Sequence, residues 1–107
     1  MKCILLSADV ELSVYSVPDI VSDNLIEYCT EFREWLEASP HAQEYRIDSG
    51  DYQGLCYTER DFIKYLNMWI FPDNLSEHIE TLHNVWVGSS IPNDIPEKYK
   101  YCEWYNF

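Results

Sequence analysis

The chain has 107 residues, a formal net charge of −12 and an apolar fraction of 47%, with 16% aromatic residues. This length predicts one compact domain, residues 1–107, and the apolar content argues against a disordered chain despite its charge. Seven Lys and Arg stand against 19 Asp and Glu, so direct binding to the phosphates of a nucleic acid is not expected.

The cysteines and the N-terminus both favour a cytoplasmic protein. Acidic residues follow the first apolar run before a signal sequence develops, and no stretch approaches the roughly 18 apolar residues of a membrane span. We therefore expect no membrane association. The cysteines form no CxxC pair, which predicts buried free thiols over the alternative of a disulfide framework, and reduced thiols are typical of the cytosol. They are Cys3, Cys29, Cys56 and Cys102.

The N-terminal segment predicts a β-hairpin within residues 2–16. An apolar run at 3–6, a polar break at 7–9 and apolar–polar alternation over 10–15 indicate two strands. The break lacks the Asn-Gly or Asp-Gly signal of a tight turn. One longer strand with a bulge near Asp9 is therefore the alternative.

A single amphipathic helix is predicted over about residues 18–38. Pro18 suits the first turn of a helix, and Ser39-Pro40 ends it because the residue before a proline is pushed out of the helical region. At about 100° per residue, apolar side chains occupy one side and six carboxylates fall within a sector of about 120° on the other. The six are Asp19, Asp23, Glu27, Glu31, Glu34 and Glu37.

The middle of the chain predicts a second hairpin followed by a second helix. Two short apolar segments within residues 45–57 are joined by a polar, glycine-containing loop, as in a hairpin. Thr58 and Asp61 then form a variant of the capping box, which opens an amphipathic helix over about 59–71. Pro72 ends this helix.

The remaining elements complete an α+β prediction. Asn74 begins a shorter third helix that is expected to reach about His83, and a brief strand follows at 85–87. The two hairpins form a small antiparallel sheet in this prediction, and the two main helices pack against it. We see no internal repeat and no low-complexity linker.

The sequence carries no motif for catalysis, a metal or a cofactor. His78 and His83 are five residues apart, so on a helix they point about 140° from each other and cannot share one zinc ion. Asp48 and Asp51 lack the alternating acidic positions of a calcium loop, and a polar hairpin loop is the better interpretation. Three glycines cannot build a contiguous phosphate-binding loop. We therefore predict a protein without enzymatic activity, metal or cofactor.

The acidic helix face has two interpretations. It is either a solvated surface that keeps the protein soluble, or a docking surface for a basic partner. Carboxylates every three or four residues recur about every 5 to 6 Å along a helix, which is comparable to the spacing of phosphates in a nucleic acid. Five like-charge pairs along one helix cost on the order of 1 to 2.5 kcal/mol at low salt.

In size, net charge and this one helix face, the chain resembles acidic nucleic-acid mimics, the small inhibitors that include anti-restriction and some anti-CRISPR proteins. The resemblance rests on no shared motif and transfers no residue. It implies an intracellular protein-binding domain, in its specific form an inhibitor or immunity protein. The acidic helix of such a protein occupies the nucleic-acid-binding surface of its partner.

The C-terminal aromatic residues suggest a second surface. Packing of this segment on the domain's own core is the simpler expectation, and an interface with a partner or a second copy is the alternative. The alternative function is thus a homodimer or other homo-oligomer with a structural or regulatory role. The candidate interface residues are Tyr101, Trp104, Tyr105 and Phe107.

Overall fold

The structure is a computed structural model that describes residues 1–8, 11–86 and 95–107, with positions 83–86 described through their backbone only. A four-stranded mixed sheet, a separate two-stranded hairpin and several helices form one α+β unit. This confirms the predicted fold class. Among the described residues, no helix has the length and apolar character needed to cross a membrane.

The N-terminal hairpin is confirmed. Strand β1 covers Lys2–Ser7 and strand β2 covers Glu11–Val17. They pair antiparallel from Lys2 opposite Val17 to Leu6 opposite Ser13. The alternative of one longer strand is therefore wrong, and the bulge considered near Asp9 falls on a position outside the described residues.

The predicted single helix over 18–38 is wrong in one respect, because it is two helices. Helix α1 covers Asp19–Asp23 and helix α2 covers Leu25–Ala38. Between them Asn24 adopts φ −134° and ψ 41°. Its side-chain amide donates to the Ile20 carbonyl at 3.0 Å. Asn competes for backbone groups with its own side chain, so this local bond offers the chain an alternative to continuous helix.

The second hairpin is confirmed, but it stands apart from the main sheet. Strand β3 covers Arg46–Ser49 and strand β4 covers Tyr52–Leu55. Gly50 adopts φ 70° in the connecting turn, a conformation that glycine reaches without a steric penalty. A 3₁₀ helix at Pro40–Tyr45 precedes β3. Arg46 then donates to the backbone carbonyls of Glu37 and Ser39, at the negative end of α2.

The second main helix begins where the capping box predicts. Helix α3 covers Glu59–Tyr65 and continues as a π-helical turn over Leu66–Ile70. The Thr58 backbone amide donates to the Asp61 carboxylate at 2.9 Å, while the Thr58 side chain accepts from the third amide of the helix. The reciprocal pair satisfies two amides that the first turn leaves free.

The predicted third helix over residues 74–83 is wrong. The segment Glu77–Trp86 is strand β5, which pairs antiparallel with β2. Apolar residues three apart, Ile79 and Leu82, fit a helix as well as a strand over so short a window. The segment forms a strand because it pairs with the edge of β2 that β1 leaves open. Part of the brief strand expected at 85–87 belongs to β5, and position 87 lies outside the described residues.

The main sheet is mixed, where an antiparallel sheet was expected. Its order is β5, β2, β1, β6, and strand β6, Glu103–Asn106, runs parallel to β1. A 3₁₀ helix at Glu97–Tyr99 leads into it. The C-terminal segment therefore reaches β1 through a crossover, and no turn residue near β6 signals this parallel pairing.

An apolar cluster lies on each face of the main sheet. The helical elements pack on one face, in an apolar cluster centred on Phe32, whose ring centroid lies 5.5 Å from that of Phe62 and 5.8 Å from that of Phe107. The residues around the 3₁₀ helix at Glu97–Tyr99 cover part of the other face. There a smaller cluster is formed by Leu5, Leu12, Val14, Leu82, Ile95 and Tyr99.

Candidate protein-docking surface

The orientation of α2 is set by its buried side. Four residues on that side are buried, namely Leu25, Cys29, Phe32 and Leu36. The opposite side carries four exposed carboxylates, which we call the α2 acidic face: Glu27, Glu31, Glu34 and Glu37. The exposure expected for this face is confirmed, whereas its use as a docking surface stays a prediction.

The other two carboxylates of the predicted stripe belong to α1 and are paired within the chain. Asp19 Oδ1 lies 2.8 Å from the N-terminal amino group, and Asp23 Oδ1 lies 2.6 Å from Lys2 Nζ. The hydrogen bond from the N-terminus lowers the pKa of Asp19, and the bond to Asp23 raises the pKa of Lys2. Both pairs are exposed and tie α1 to β1. The pairs partly offset the charges of Asp19 and Asp23, whose side chains stay more than half exposed, and the use of these two residues in docking stays a prediction.

The α2 acidic face lacks such compensation. Within the described part of the chain, none of its carboxylates forms an ion pair. Arg33 is the one basic residue of α2, and its guanidinium carbon lies 6.0 Å from the centre of the Tyr57 ring. The negative charge of the α2 acidic face also affects Tyr28, on the flank of the helix. Burial raises the pKa of Tyr28, and the nearby Glu31 and Glu27 raise it further.

The break at Asn24 reduces the electrostatic cost of the stripe. Three like-charge pairs remain on α2, at positions 27 and 31, 31 and 34, and 34 and 37. At about 0.2 to 0.5 kcal/mol each, they cost roughly 0.6 to 1.5 kcal/mol at low salt. Domains of this size have total stabilities of about 5 to 15 kcal/mol. The cost is therefore tolerable but measurable.

An apolar residue lies beside the acidic face. Ile26 is 70% exposed on the first turn of α2. It borders a shallow surface depression together with Glu27, Glu103 and Trp104. Protein interfaces combine apolar anchors with a charged or polar rim. This end of α2 therefore offers both components, and Glu103 extends the negative surface onto β6.

The C-terminal aromatic residues are used mainly inside the molecule. Trp104, Tyr105 and Phe107 are partly buried, and they pack on the two apolar clusters of the sheet. The simpler expectation for this segment, packing on the core, is therefore confirmed for these three residues. Tyr101 is 93% exposed and is the member of the candidate interface set that faces solvent.

A polar cluster between α3 and the sheet was not predicted. Ser13 Oγ lies 3.5 Å from Glu59 Oε1 and 3.3 Å from Thr81 Oγ1, and His78 Nε2 lies 3.0 Å from the same Thr81 oxygen. These bonds fasten α3 to β2 and β5. They join residues up to 68 positions apart, so no local sequence signal could have indicated them.

Tyr15 lies beside this polar cluster and is only 2% exposed. By distance and angle, its hydroxyl has no hydrogen-bond partner among the described residues. Burial, and then the charge of Glu59, raise the pKa of Tyr15 to about 12. The phenol is therefore neutral at physiological pH and acts as a core residue with a polar tip.

The cysteines are free thiols, as predicted, but their burial differs from the prediction. Cys29 is buried, Cys3 and Cys102 are half-buried, and Cys56 is exposed. Cys56 directly follows β4, in the hairpin that forms a sheet of its own. Among the described residues, no three His, Cys, Asp or Glu side chains come together as a metal site.

Comparisons with known protein families, with curated proteins and with solved structures find no match for this chain.

Proposed function

We propose that the chain is a protein-binding domain without enzymatic activity, which docks through the α2 acidic face onto a basic surface of a partner protein. In its specific form, it is an inhibitor or immunity protein that covers the nucleic-acid-binding surface of that partner. The observation that carries the proposal is the set of four exposed carboxylates on one helix side, unpaired within the described part of the chain.

The geometry of α2 supports a basic partner. From Glu27 to Glu37 the helix axis rises about 15 Å, so the face carries roughly one charge per 5 Å. One strand of duplex DNA carries a charge about every 3.4 Å of axis. The helix thus offers a somewhat sparser row of negative charge than the backbone it is proposed to replace. Ile26 adds an apolar contact at one end of the row.

The energetics are consistent with this proposal. The like-charge pairs oppose folding, and the opposing basic groups of a partner would relieve that repulsion. Complementary charge mainly accelerates association and selects the partner, and salt weakens it. The complex should therefore form fast at low salt and weaken progressively as salt increases.

A charge-reversal experiment tests the proposal. The tagged full chain captures proteins from its native host at low salt, and the captured protein is then purified. Its affinity is measured by titration from low to moderate salt for the natural chain and for the triple variant Glu27→Lys, Glu31→Lys, Glu34→Lys. We expect the variant to lose at least tenfold in affinity at low salt. Equal affinity for the folded variant across the salt series contradicts the proposal.

A matched control separates local docking from net charge. The triple variant Asp48→Lys, Asp51→Lys, Asp73→Lys changes the net charge by the same amount at exposed positions outside α2. It should retain most of the affinity, because its carboxylates lie off the docking face. Equal losses in both triple variants would mean that only the total charge of the protein matters. Circular dichroism of both variants checks that they fold.

Homo-oligomer formation is the second candidate, and one exposed residue favours it. Tyr101 is almost fully exposed at the C-terminal end of the chain. Ending the chain at Lys98 is a poor test, because it removes β6 and the buried Tyr99. Analytical ultracentrifugation of the full chain and of Tyr101→Ser is more direct. A dimer that the substitution dissociates supports this candidate, and a monomeric natural chain at high concentration contradicts it.

A further inference from the structure

We propose that Cys3 and Cys102 form an oxidative modification site. In this site, a low-molecular-weight disulfide such as oxidised glutathione converts the two thiols into an intramolecular disulfide between β1 and the start of β6. The site is separate from the α2 acidic face and does not depend on its function.

The parallel pairing of β1 and β6 brings the two cysteines side by side. Ile4 lies opposite Glu103, and Leu5 lies opposite Trp104. Cys3 precedes Ile4 in β1, and Cys102 immediately precedes the first residue of β6, so extending the register by one residue places the two cysteines opposite each other. Adjacent strands lie about 4.8 Å apart, and a disulfide requires Cα atoms about 4.4 to 6.8 Å apart. Continuing the register by one residue therefore points to a separation that a disulfide can span.

The two thiols also lie on the same face of the sheet. Successive side chains of a strand alternate between faces, so Cys3 shares a face with Leu5. Cys102 and Trp104 pack against the same apolar cluster as Leu5. All four residues belong to the smaller apolar cluster. Burial raises the pKa of Cys102, and the charge of the Cys3 thiolate raises it further, an effect that requires the two sulfur atoms to be near each other.

The other two cysteines are not placed for this reaction. Cys29 lies in the helix-side cluster, on the opposite face of the sheet, and is fully buried. Cys56 is exposed after β4, and β3 and β4 form a separate sheet. Cys3 and Cys102 are both half-buried, so a small oxidant can reach them. The structure therefore selects this one pair among the four thiols.

The chemistry is two successive thiol–disulfide exchanges. One cysteine thiolate attacks oxidised glutathione, forming a mixed disulfide and releasing one glutathione thiolate. The second cysteine thiolate attacks the protein sulfur of the mixed disulfide and releases the second glutathione thiolate. In total, the protein loses two protons and two electrons, and one oxidised glutathione becomes two reduced glutathione molecules.

The bond would tie down the C-terminal strand. Strand β6 has only four residues and lies at the edge of the sheet, and its neighbour Phe107 packs into the helix-side cluster. A covalent link at the start of β6 closes a loop that includes almost the whole chain. Oxidation should therefore stabilise the fold strongly, and reduction should return the C-terminal strand to its non-covalent attachment.

The test uses the full chain with Cys56→Ser, which removes the exposed thiol and prevents cross-linking between molecules. The protein is incubated with oxidised glutathione at pH 7 and at pH 8.5, alkylated and analysed by mass spectrometry. We expect two thiols to become protected, the mass to fall by that of two hydrogen atoms, and a peptide joining Cys3 to Cys102. The reaction should be faster at pH 8.5, because the raised pKa of Cys102 limits its thiolate at pH 7.

Thermal unfolding gives the second readout. The oxidised protein should unfold about 10 to 20 °C higher than the reduced protein, and dithiothreitol should reverse the shift. Adding Cys102→Ser should stop the reaction at a glutathione adduct on Cys3, with no rise in Tm. The proposal is overturned if Cys3 and Cys102 of the Cys56→Ser protein acquire separate glutathione adducts. It is also overturned if Cys3 and Cys102 both stay fully alkylatable in the folded protein after incubation with oxidised glutathione.

Discussion

Neutralising the centre of the α2 acidic face should stabilise the protein. The double variant Glu31→Gln, Glu34→Gln removes all three like-charge pairs of α2 and leaves Glu27 and Glu37 in place. Gln and Glu have nearly equal helix propensity, so the electrostatic contribution dominates. The expected gain in the free energy of unfolding is roughly 0.6 to 1.5 kcal/mol at low ionic strength. For a domain of this size, this corresponds to a rise in Tm of about 3 to 10 °C.

Salt dependence identifies the origin of that gain. At 1 M salt the Debye length is about 3 Å, shorter than the spacing between neighbouring carboxylates, so the gain should nearly vanish. The assay is urea and thermal unfolding, followed by circular dichroism in 10 mM and in 1 M NaCl, for the natural chain and the double variant. The control Asp48→Asn, Asp51→Asn changes the net charge equally in the separate hairpin. No gain at low salt, or a gain that persists at 1 M, refutes the reasoning.

Three further substitutions test how the fold is held together. Phe32→Ala should destabilise the protein by about 3 to 5 kcal/mol in urea unfolding, because it removes the centre of the main aromatic cluster. Asp61→Ala should cost about 0.5 to 2 kcal/mol by leaving the Thr58 amide unpaired, whereas a change below 0.3 kcal/mol would show that the capping box contributes little. The pKa of Tyr15 is raised to about 12 in the folded protein, because burial favours the neutral phenol. Its contribution to the free energy of unfolding is therefore complete below pH 10 and is lost as pH rises from 10 to 12. Tyr15→Phe should leave stability at pH 7 nearly unchanged and reduce this alkaline loss. If the stability of Tyr15→Phe falls between pH 10 and 12 as much as that of the natural chain, other groups cause the alkaline loss of stability.

Local signals predicted most of the secondary structure. The alternation in β1 and β2, the capping box at Thr58 and the proline after α2 act within a few residues of the elements they specify. The segment of strand β5 is predicted as a helix because Asn74 resembles a helix start, and the spacing of Ile79 and Leu82 fits a helix as well as a strand. Its pairing with β2 is a tertiary interaction between residues 61 to 75 positions apart, from Ser16 opposite Glu77 to Glu11 opposite Trp86. The parallel pairing of β6 with β1 joins the two ends of the chain, and no local pattern encodes it.

The sequence predicted only the part of the candidate site that depends on local pattern. The helical period oriented Glu27, Glu31, Glu34 and Glu37 outward, because it depends only on the apolar side of α2. The period could not indicate that Asn24 interrupts the helix. Nor could it show that the two carboxylates of α1 find partners in the N-terminal amino group and Lys2, which strand β1 brings alongside α1.

The most direct test of the central claim is the salt-dependent affinity of the captured partner for the two triple variants. We predict that Glu27→Lys, Glu31→Lys, Glu34→Lys weakens binding at least tenfold at low salt and flattens the salt dependence, while Asp48→Lys, Asp51→Lys, Asp73→Lys preserves both. A partner that binds both folded variants and the natural chain with the same affinity at every salt concentration would contradict a docking function for the α2 acidic face.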